Sequence, residues 1–318
     1  MVNHVLSVQE LGAGNLASLV DRSLMFARGV NGNKRTLAGK VVGIYFRRSS
    51  TRTRTAFTVG AINLGANIIS YGPEDLQIVT GETFQDTARV LSNFLDALVV
   101  RTNASIEEMR AMTGQNQMAI INAMSEGEHP TQSIADLVTI KEAFGRLENI
   151  HILYLGEGNN TAAALALAVA QTKGMRLTLA TPEGYGLSEC VMSAATVLAA
   201  QSGATIEQQH NLDRLPPDID VVYTARWQTM GAPKSDPDWR TKFDPFKVTA
   251  KLMERVSKSS KTIFLHDLPA VRGGDVDNEV LDGPQSRAFR QAYHKMTSAM
   301  SVLEWCTAAG ERIATNAR

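Results

Sequence analysis

Residues 40–46 read KVVGIYF and residues 47–54 read RRSSTRTR. The first run is short, β-branched and aromatic, which predicts a buried strand; the hydroxyl- and arginine-rich run after it predicts a turn, and residues 55–64 a helix. This strand–turn–helix unit recurs downstream, with strands expected at 66–71, 97–101 and 118–122 and a helix at 83–94. Alternation of this kind argues for a parallel sheet carrying helices on its faces. Upstream, Leu16, Leu19, Val20, Leu24 and Phe26 fall near one helical face, and the Gly/Asn cluster at 29–33 stops that helix.

A helical pattern at 131–144 leads out of this unit, and IHILYLGEG, from Ile150, opens a second alternating series. Its strands are expected at 176–180, 221–224 and 262–266, with helices near 188–202 and 248–256. A last helix, near 286–309, has Phe289, Tyr293, Met296, Met300 and Leu303 at helical spacing. The expected architecture is α/β, with two domains that are each a mostly parallel sheet flanked by helices, bounded at 1–145 and 146–285. Residues 286–318 form a terminal helix available to either domain.

The 318-residue length suits two domains, and 44% hydrophobic with 20% charged residues is the profile of a soluble globular chain. Lys plus Arg and Asp plus Glu both number 32, so no global field draws the chain to nucleic acid or to an anionic membrane. Cys190 and Cys306 are too few for a disulfide framework and too far apart for a metal knuckle, which argues for a reducing compartment. The start, MVNHVLSVQELGAG, lacks a basic segment followed by an apolar run, and the longest apolar stretch, 162–170, is far short of a membrane span. A cytoplasmic protein is expected.

Four segments carry chemistry. In RRSSTRTR, four arginines crowd into eight residues at the expected N-terminus of a helix. A phosphate there would meet free backbone N–H groups, the hydroxyls of Ser50, Thr51 and Thr53, and the fork of Arg52. The alternatives are a capped helix with a solvated basic face, or a nucleic-acid patch. In EHPTQ, 128–132, His129 precedes a proline and is held out of helical geometry, so its ring is aimed; a positioned imidazole donates to a carbonyl oxygen as charge builds on it. GEGNNT, 156–161, tempts a dinucleotide reading, but Thr161 stands where the fingerprint needs its third glycine; the next strand ends in Thr181, with an acidic residue, Glu183, two residues later. In FLHDLPAVRGG, 264–274, a strand runs into a loop at its carboxyl edge, the place where open α/β sheets bind ligands, and His266 and Asp267 sit there.

In their order along the whole chain, these segments resemble the aspartate/ornithine carbamoyltransferase family. Residues 50–54 (STRTR) look like the family's carbamoyl phosphate motif and 129–132 (HPTQ) like its second signature. The resemblance implies two α/β domains, with the C-terminal helix returning to pack on the first. It also implies a chemistry in which an uncharged amine attacks the carbamoyl carbon, an oxyanion forms and phosphate leaves, without metal or organic cofactor. Ser50, Thr51, Arg52, Thr53 and Gln77 would hold the phosphate. Arg101, His129 and Thr53 would polarise the carbonyl oxygen, and Gln132 would meet the carbamoyl nitrogen. Asp267, Leu268 and Lys295 complete the implied set. Gln77 falls where ornithine enzymes contribute a glutamine from a neighbouring subunit, which implies a homotrimer with shared sites.

On the acceptor side, Asn160, Thr229, Met230 and the DGPQS segment at 282–286 lean toward the ornithine branch. Three departures stand out: Ala225 replaces an aspartate that grips the α-amino group, Asp267 replaces a cysteine, and Lys295 replaces an arginine. The expectation is that Asp267, from the opposite loop, restores the carboxylate lost at 225. Arg226 and Gln228 have the Arg-x-Gln spacing of aspartate enzymes, whereas Asn160, Thr80 and Leu76 stand where those enzymes carry arginine, lysine and serine. Ornithine or a close analogue is the expected acceptor. Aspartate, a diamine or a modified amino acid are the alternatives within the family; a dinucleotide-dependent oxidoreductase and a non-catalytic paralogue are those outside it.

Overall fold

A computed structural model describes residues 2–30, 35–228 and 234–315, with side chains described as far as residue 307. The elements run α1 (Val8–Ala27), β1 (Val41–Phe46), α2 (Thr51–Asn63), β2 (Asn67–Tyr71), α3 (Phe84–Leu91), β3 (Ala97–Arg101), α4 (Glu107–Met112), β4 (Ala119–Met124) and α5 (Pro130–Phe144). They continue with β5 (His151–Leu155), α6 (Asn160–Ala170), β6 (Arg176–Ala180), α7 (Glu189–Ser202), β7 (Thr205–Gln209), β8 (Val221–Thr224), α8 (Trp239–Phe243), α9 (Ala250–Val256), β9 (Ile263–His266), α10 (Asn278–Leu281) and α11 (Ala288–Thr315).

Two sheets result, ordered β2-β1-β3-β4 and β7-β6-β5-β8-β9, and every pairing in both is parallel. The reason is in the sequence: β1, β3, β4, β5, β8 and β9 are almost wholly apolar runs, as strands covered on both faces must be. Helix α6 is buried all round between its second and last residues, so its alanines allow close packing on the second sheet.

The chain divides into two compact units, Met1–Val138 with Tyr293–Arg318, and Thr139–Ala292. The division falls within α5 and α11 rather than at Gly145 and residue 286, because each of these helices starts in one unit and ends in the other. In the first unit, Ser23 on α1 meets Thr297 and Ser298 of α11 at 2.9 and 3.3 Å. Arg22 forks onto Glu304, and a Cβ at Gly60 of α2 would stand 3.1 Å from Met300 Cγ. The C-terminal helix thus packs on the first domain, with glycine admitting the close approach. Among the described residues, no helix is long and apolar enough to cross a membrane.

Glu128 fastens this unit across 120 residues of sequence. Its Oε1 accepts the Val8 N–H at 2.7 Å, serving one of the open donors of the first turn of α1. Burial raises the carboxyl to about 7, against the opposing pull of the Val8 and Ser7 hydrogen bonds. With the folded value above the 4.5 of the unfolded chain, the stabilising proton is held below pH 4.5 and lost as pH rises through about 7. Glu128→Gln should therefore flatten the decline in stability across that window. Its advantage over the wild type should approach about 3 kcal/mol above pH 8 in chemical denaturation; an unchanged pH profile would refute this.

Candidate active site

The first unit assembles its polar groups at the carboxyl ends of β1, β3 and β4. Helix α2 begins at Thr51, not at residue 55. Ser50 is its N-cap, in extended conformation, yet its hydroxyl makes no capping bond, and no acidic residue lies in the first turn. The open N–H groups and positive end of this helix therefore keep Thr51, Arg52 and Thr53 as their nearest side-chain company, an arrangement suited to an anion. The helix reaches further back than the periodicity suggests because polar residues at a first turn leave no apolar period to read.

The protein itself relieves part of the arginine crowding. Arg47 places its Nη1 2.9 and 2.7 Å from the two Glu108 oxygens, Arg48 donates to Asn103 Oδ1 at 3.3 Å, and Arg54 lies over the Phe46 ring at 5.4 Å. These three arginines thus have protein partners, and the helix start without a side-chain cap is the feature that favours an anion.

Arg101, at the end of β3, is 5% exposed and donates from Nη1 to Thr53 Oγ1 at 3.4 Å. His129, 4% exposed, has its Nδ1 3.5 Å from the Thr131 hydroxyl. Burial, reinforced by the positive charges of Lys295 and Arg101, holds its imidazole well below the ordinary histidine range. It is therefore neutral at pH 7, able to donate one N–H without carrying charge. Gln132, fully buried in the first turn of α5, donates to Asp136 Oδ1 at 2.8 Å and accepts from Lys295 Nζ at Oε1. Lys295 thus fixes which way the Gln132 amide faces, a contact the sequence did not reveal. Gln77 stands apart, exposed on a short 3-10 turn (Gln77–Thr80), with its Oε1 taking the Thr80 hydroxyl at 2.9 Å.

In the second unit, the candidate residues lie at the carboxyl ends of β5, β8 and β9. Asn159, not Asn160, caps α6, accepting from the N–H groups of Thr161 and Ala162 at 3.0 and 3.1 Å. Asn160, the first helical residue, is half-buried. The glycine of this turn serves the fold: a Cβ at Gly158 would come within 2.4 Å of the Gly186 and Leu187 backbone, and its N–H donates to Tyr185 O at 2.8 Å. Protein backbone thus lies against the glycine that a dinucleotide fingerprint would turn toward a pyrophosphate.

Thr224 pairs with His266, so Ala225 and Asp267 leave adjacent strands side by side. Asp267 belongs to the neighbouring loop rather than an opposite one. Its Oδ2 accepts the Thr161 hydroxyl at 3.0 Å. His266 Nδ1, 3.5 Å from Oδ1, already accepts the Leu268 N–H at 2.8 Å, so it carries no proton to donate to the carboxylate. Asp267 Oδ1 is buried without a hydrogen-bond partner among the described residues, which is costly unless a ligand brings a donor. Leu268, at φ 54°, precedes a cis proline. Arg226 is half-buried beside Trp227, Trp239 and Asp275, and its buried Nε is also without a partner among the described residues. Thr229 and Met230 lie outside the described residues.

In the first unit, a helix start without a side-chain cap, flanked by arginine and a neutral histidine, suits an anion; in the second, a carboxylate oxygen without a donor among the described residues suits an amine. The chain belongs to the aspartate/ornithine carbamoyltransferase family, a family of transferases: residues 3–142 match its carbamoyl-P binding domain and residues 148–306 its Asp/Orn binding domain. Among its relatives, the ornithine carbamoyltransferase of Caldicellulosiruptor saccharolyticus is 38% identical over 307 residues, covering 95% of this chain and 97% of that protein. The Bacillus cereus ornithine carbamoyltransferase is 34% identical, covering 94% and 92%. Among solved structures, the Pyrococcus furiosus ornithine carbamoyltransferase superposes with a TM-score of 0.89 at 32% identity, covering 96% of this chain and 97% of that one.

Proposed function

We propose that the chain transfers the carbamoyl group of carbamoyl phosphate to the side-chain amine of L-ornithine or a close analogue, giving citrulline or its analogue and phosphate. The observation that carries this reading is the uncapped N-terminus of α2, with Arg52 on its first turn and Arg101 bonded to Thr53. The phosphate is held by Ser50, Thr51, Arg52, Thr53 and by Gln77 of a neighbouring copy. Arg101 and neutral His129 donate to the carbonyl oxygen as it becomes an oxyanion. Gln132 Oε1 accepts from the carbamoyl nitrogen on the lone pair that Lys295 leaves open. The amine nitrogen attacks the carbamoyl carbon, the carbon–oxygen bond to phosphate breaks, and the electron pair leaves with phosphate, which takes up the proton that the amine gives up. The leaving group is already activated, so no metal or organic cofactor is required.

The acceptor lies with Asn160, Thr229, Met230 and Arg226, and its amine donates to Asp267 Oδ1, the carboxylate oxygen without a donor among the described residues. A homotrimer is supported by the apolar residues that the first unit leaves exposed, Ile62, Ile69, Val79, Val90 and Phe94. The cytoplasm and arginine synthesis are the corresponding setting. A second reading, an acidic acceptor, is favoured by the unsatisfied Arg226 Nε, which suits a carboxylate.

The test is phosphate release from carbamoyl phosphate with L-ornithine, L-aspartate, putrescine, L-lysine and N-acetyl-L-ornithine, corrected for spontaneous decay and confirmed on the carbamoylated product. Ornithine should give the highest kcat/KM. A preference for aspartate would establish the second reading, and failure of every amine would refute the ornithine assignment.

A further inference from the structure

Lys234 has its side chain 8% exposed, a rare state for a lysine. Its ammonium donates to Glu157 Oε1. It also lies over three rings, 4.9 Å from the Tyr185 centroid, 5.0 Å from Phe243 and 5.3 Å from Trp239. The rings brace one another: Tyr185 and Phe243 are 4.9 Å apart, Trp239 and Phe243 5.5 Å, and Trp227 leans on Phe243 at 5.4 Å. A desolvated ammonium between aromatic faces and a carboxylate is held by both, and it would be strongly destabilising without them.

This cage grips the turn that leads to α6. Glu157 lies within it, three residues before Asn160. The Glu157 carbonyl accepts the Tyr154 hydroxyl at 2.9 Å, and the Gly158 N–H donates to Tyr185 O, so the same tyrosine that faces Lys234 also holds the turn. Trp227 closes the other side: a Cβ at Gly156, which sits at φ 119°, would be 2.9 Å from its indole. The residues from Gly156 to Asn159 are thus clamped between β5, the Tyr185 loop and the aromatic cluster, with Lys234 as the charge at the centre.

We infer that Lys234 is a positioning residue for the amine acceptor: its bond to Glu157 within the aromatic cage sets the turn that presents Asn160. It also cancels the Glu157 charge, which would otherwise offer a cationic acceptor an unproductive partner close to Asn160. The inference rests on the carbamoyl-transfer reading and adds to it a residue outside the donor and acceptor sets.

The test compares wild type with Lys234→Met, Lys234→Arg and Glu157→Gln by steady-state kinetics with ornithine, by carbamoyl phosphate binding in calorimetry, and by thermal melting. Lys234→Met should raise the acceptor KM at least tenfold and leave carbamoyl phosphate affinity within twofold. Lys234→Arg, which keeps the cation over the rings, should stay within threefold of wild type. Glu157→Gln should raise the acceptor KM less than Lys234→Met does, and it serves alone if the methionine variant does not fold. An acceptor KM unchanged in both Lys234→Met and Glu157→Gln, or an equal loss of affinity for both substrates, overturns the inference while the transfer reading stands. A wild type that carbamoylates no amine overturns both.

Discussion

Replacing Arg101 by alanine should leave a folded protein whose kcat with carbamoyl phosphate and ornithine falls by about 10²- to 10⁴-fold. A guanidinium offers two donors to a developing oxyanion, and charge-assisted bonds are worth roughly 1.5–3 kcal/mol each, which spans that range. The fold should tolerate the change, because Arg101 shares its surroundings with Lys295, and both charges act on His129 in the same sense. Removing one cation from such a group eases repulsion. Lysine at this position should recover little, since a point charge cannot form the fork. By contrast, Arg52→Ala acts on the phosphate and should appear mainly in the KM for carbamoyl phosphate. Steady-state rates at saturating amine, with melting curves as the check on folding, separate the two. An Arg101→Ala rate within tenfold of wild type would remove Arg101 from the chemistry.

What the sequence exposed and what it hid follow from the same physics. Strands β3 and β8 are legible to the residue because near-continuous apolar runs are the mark of strands covered on both faces. Strand β7 was missed: TIEQQ, at the edge of the second sheet, is partly exposed along its length and carries one aliphatic residue, so no run announces it. Short α4, on Glu107–Met112, was passed over because a helix of under two turns has too few residues to show a period. At the site, Ser50, Arg52 and His129 could be read from local motifs. The pairing of Lys295 with Gln132 joins residues 163 apart, and the Lys234 cage draws on Glu157, Tyr185, Trp239 and Phe243. Neither has a local spacing to betray it. The cost of burying an ammonium, which makes such lysines informative, becomes visible only once burial is known.

Asp267 offers a test in which stability and activity should part company. Its Oδ2 is secured by Thr161, but Oδ1 lies beside a histidine nitrogen that is itself an acceptor and has no donor among the described residues. Such an oxygen costs the free protein stability unless a ligand brings it a donor, which on the proposed function is the acceptor's amine. Asp267→Asn keeps an oxygen for Thr161, replaces the unpartnered carboxylate oxygen by an amide N–H, and removes the charge. Melting temperature should therefore hold or rise, while kcat/KM for ornithine falls by about 10- to 100-fold, the worth of one charge-assisted hydrogen bond. Asp267→Ala should lose the acceptor term to at least the same degree, and loses the Thr161 bond as well. If Asp267 were a structural turn residue, the asparagine variant would melt lower and its activity would track the folded fraction. Parallel loss of both quantities would therefore end the assignment of Asp267 to the amine, and opposite movement would fix it there.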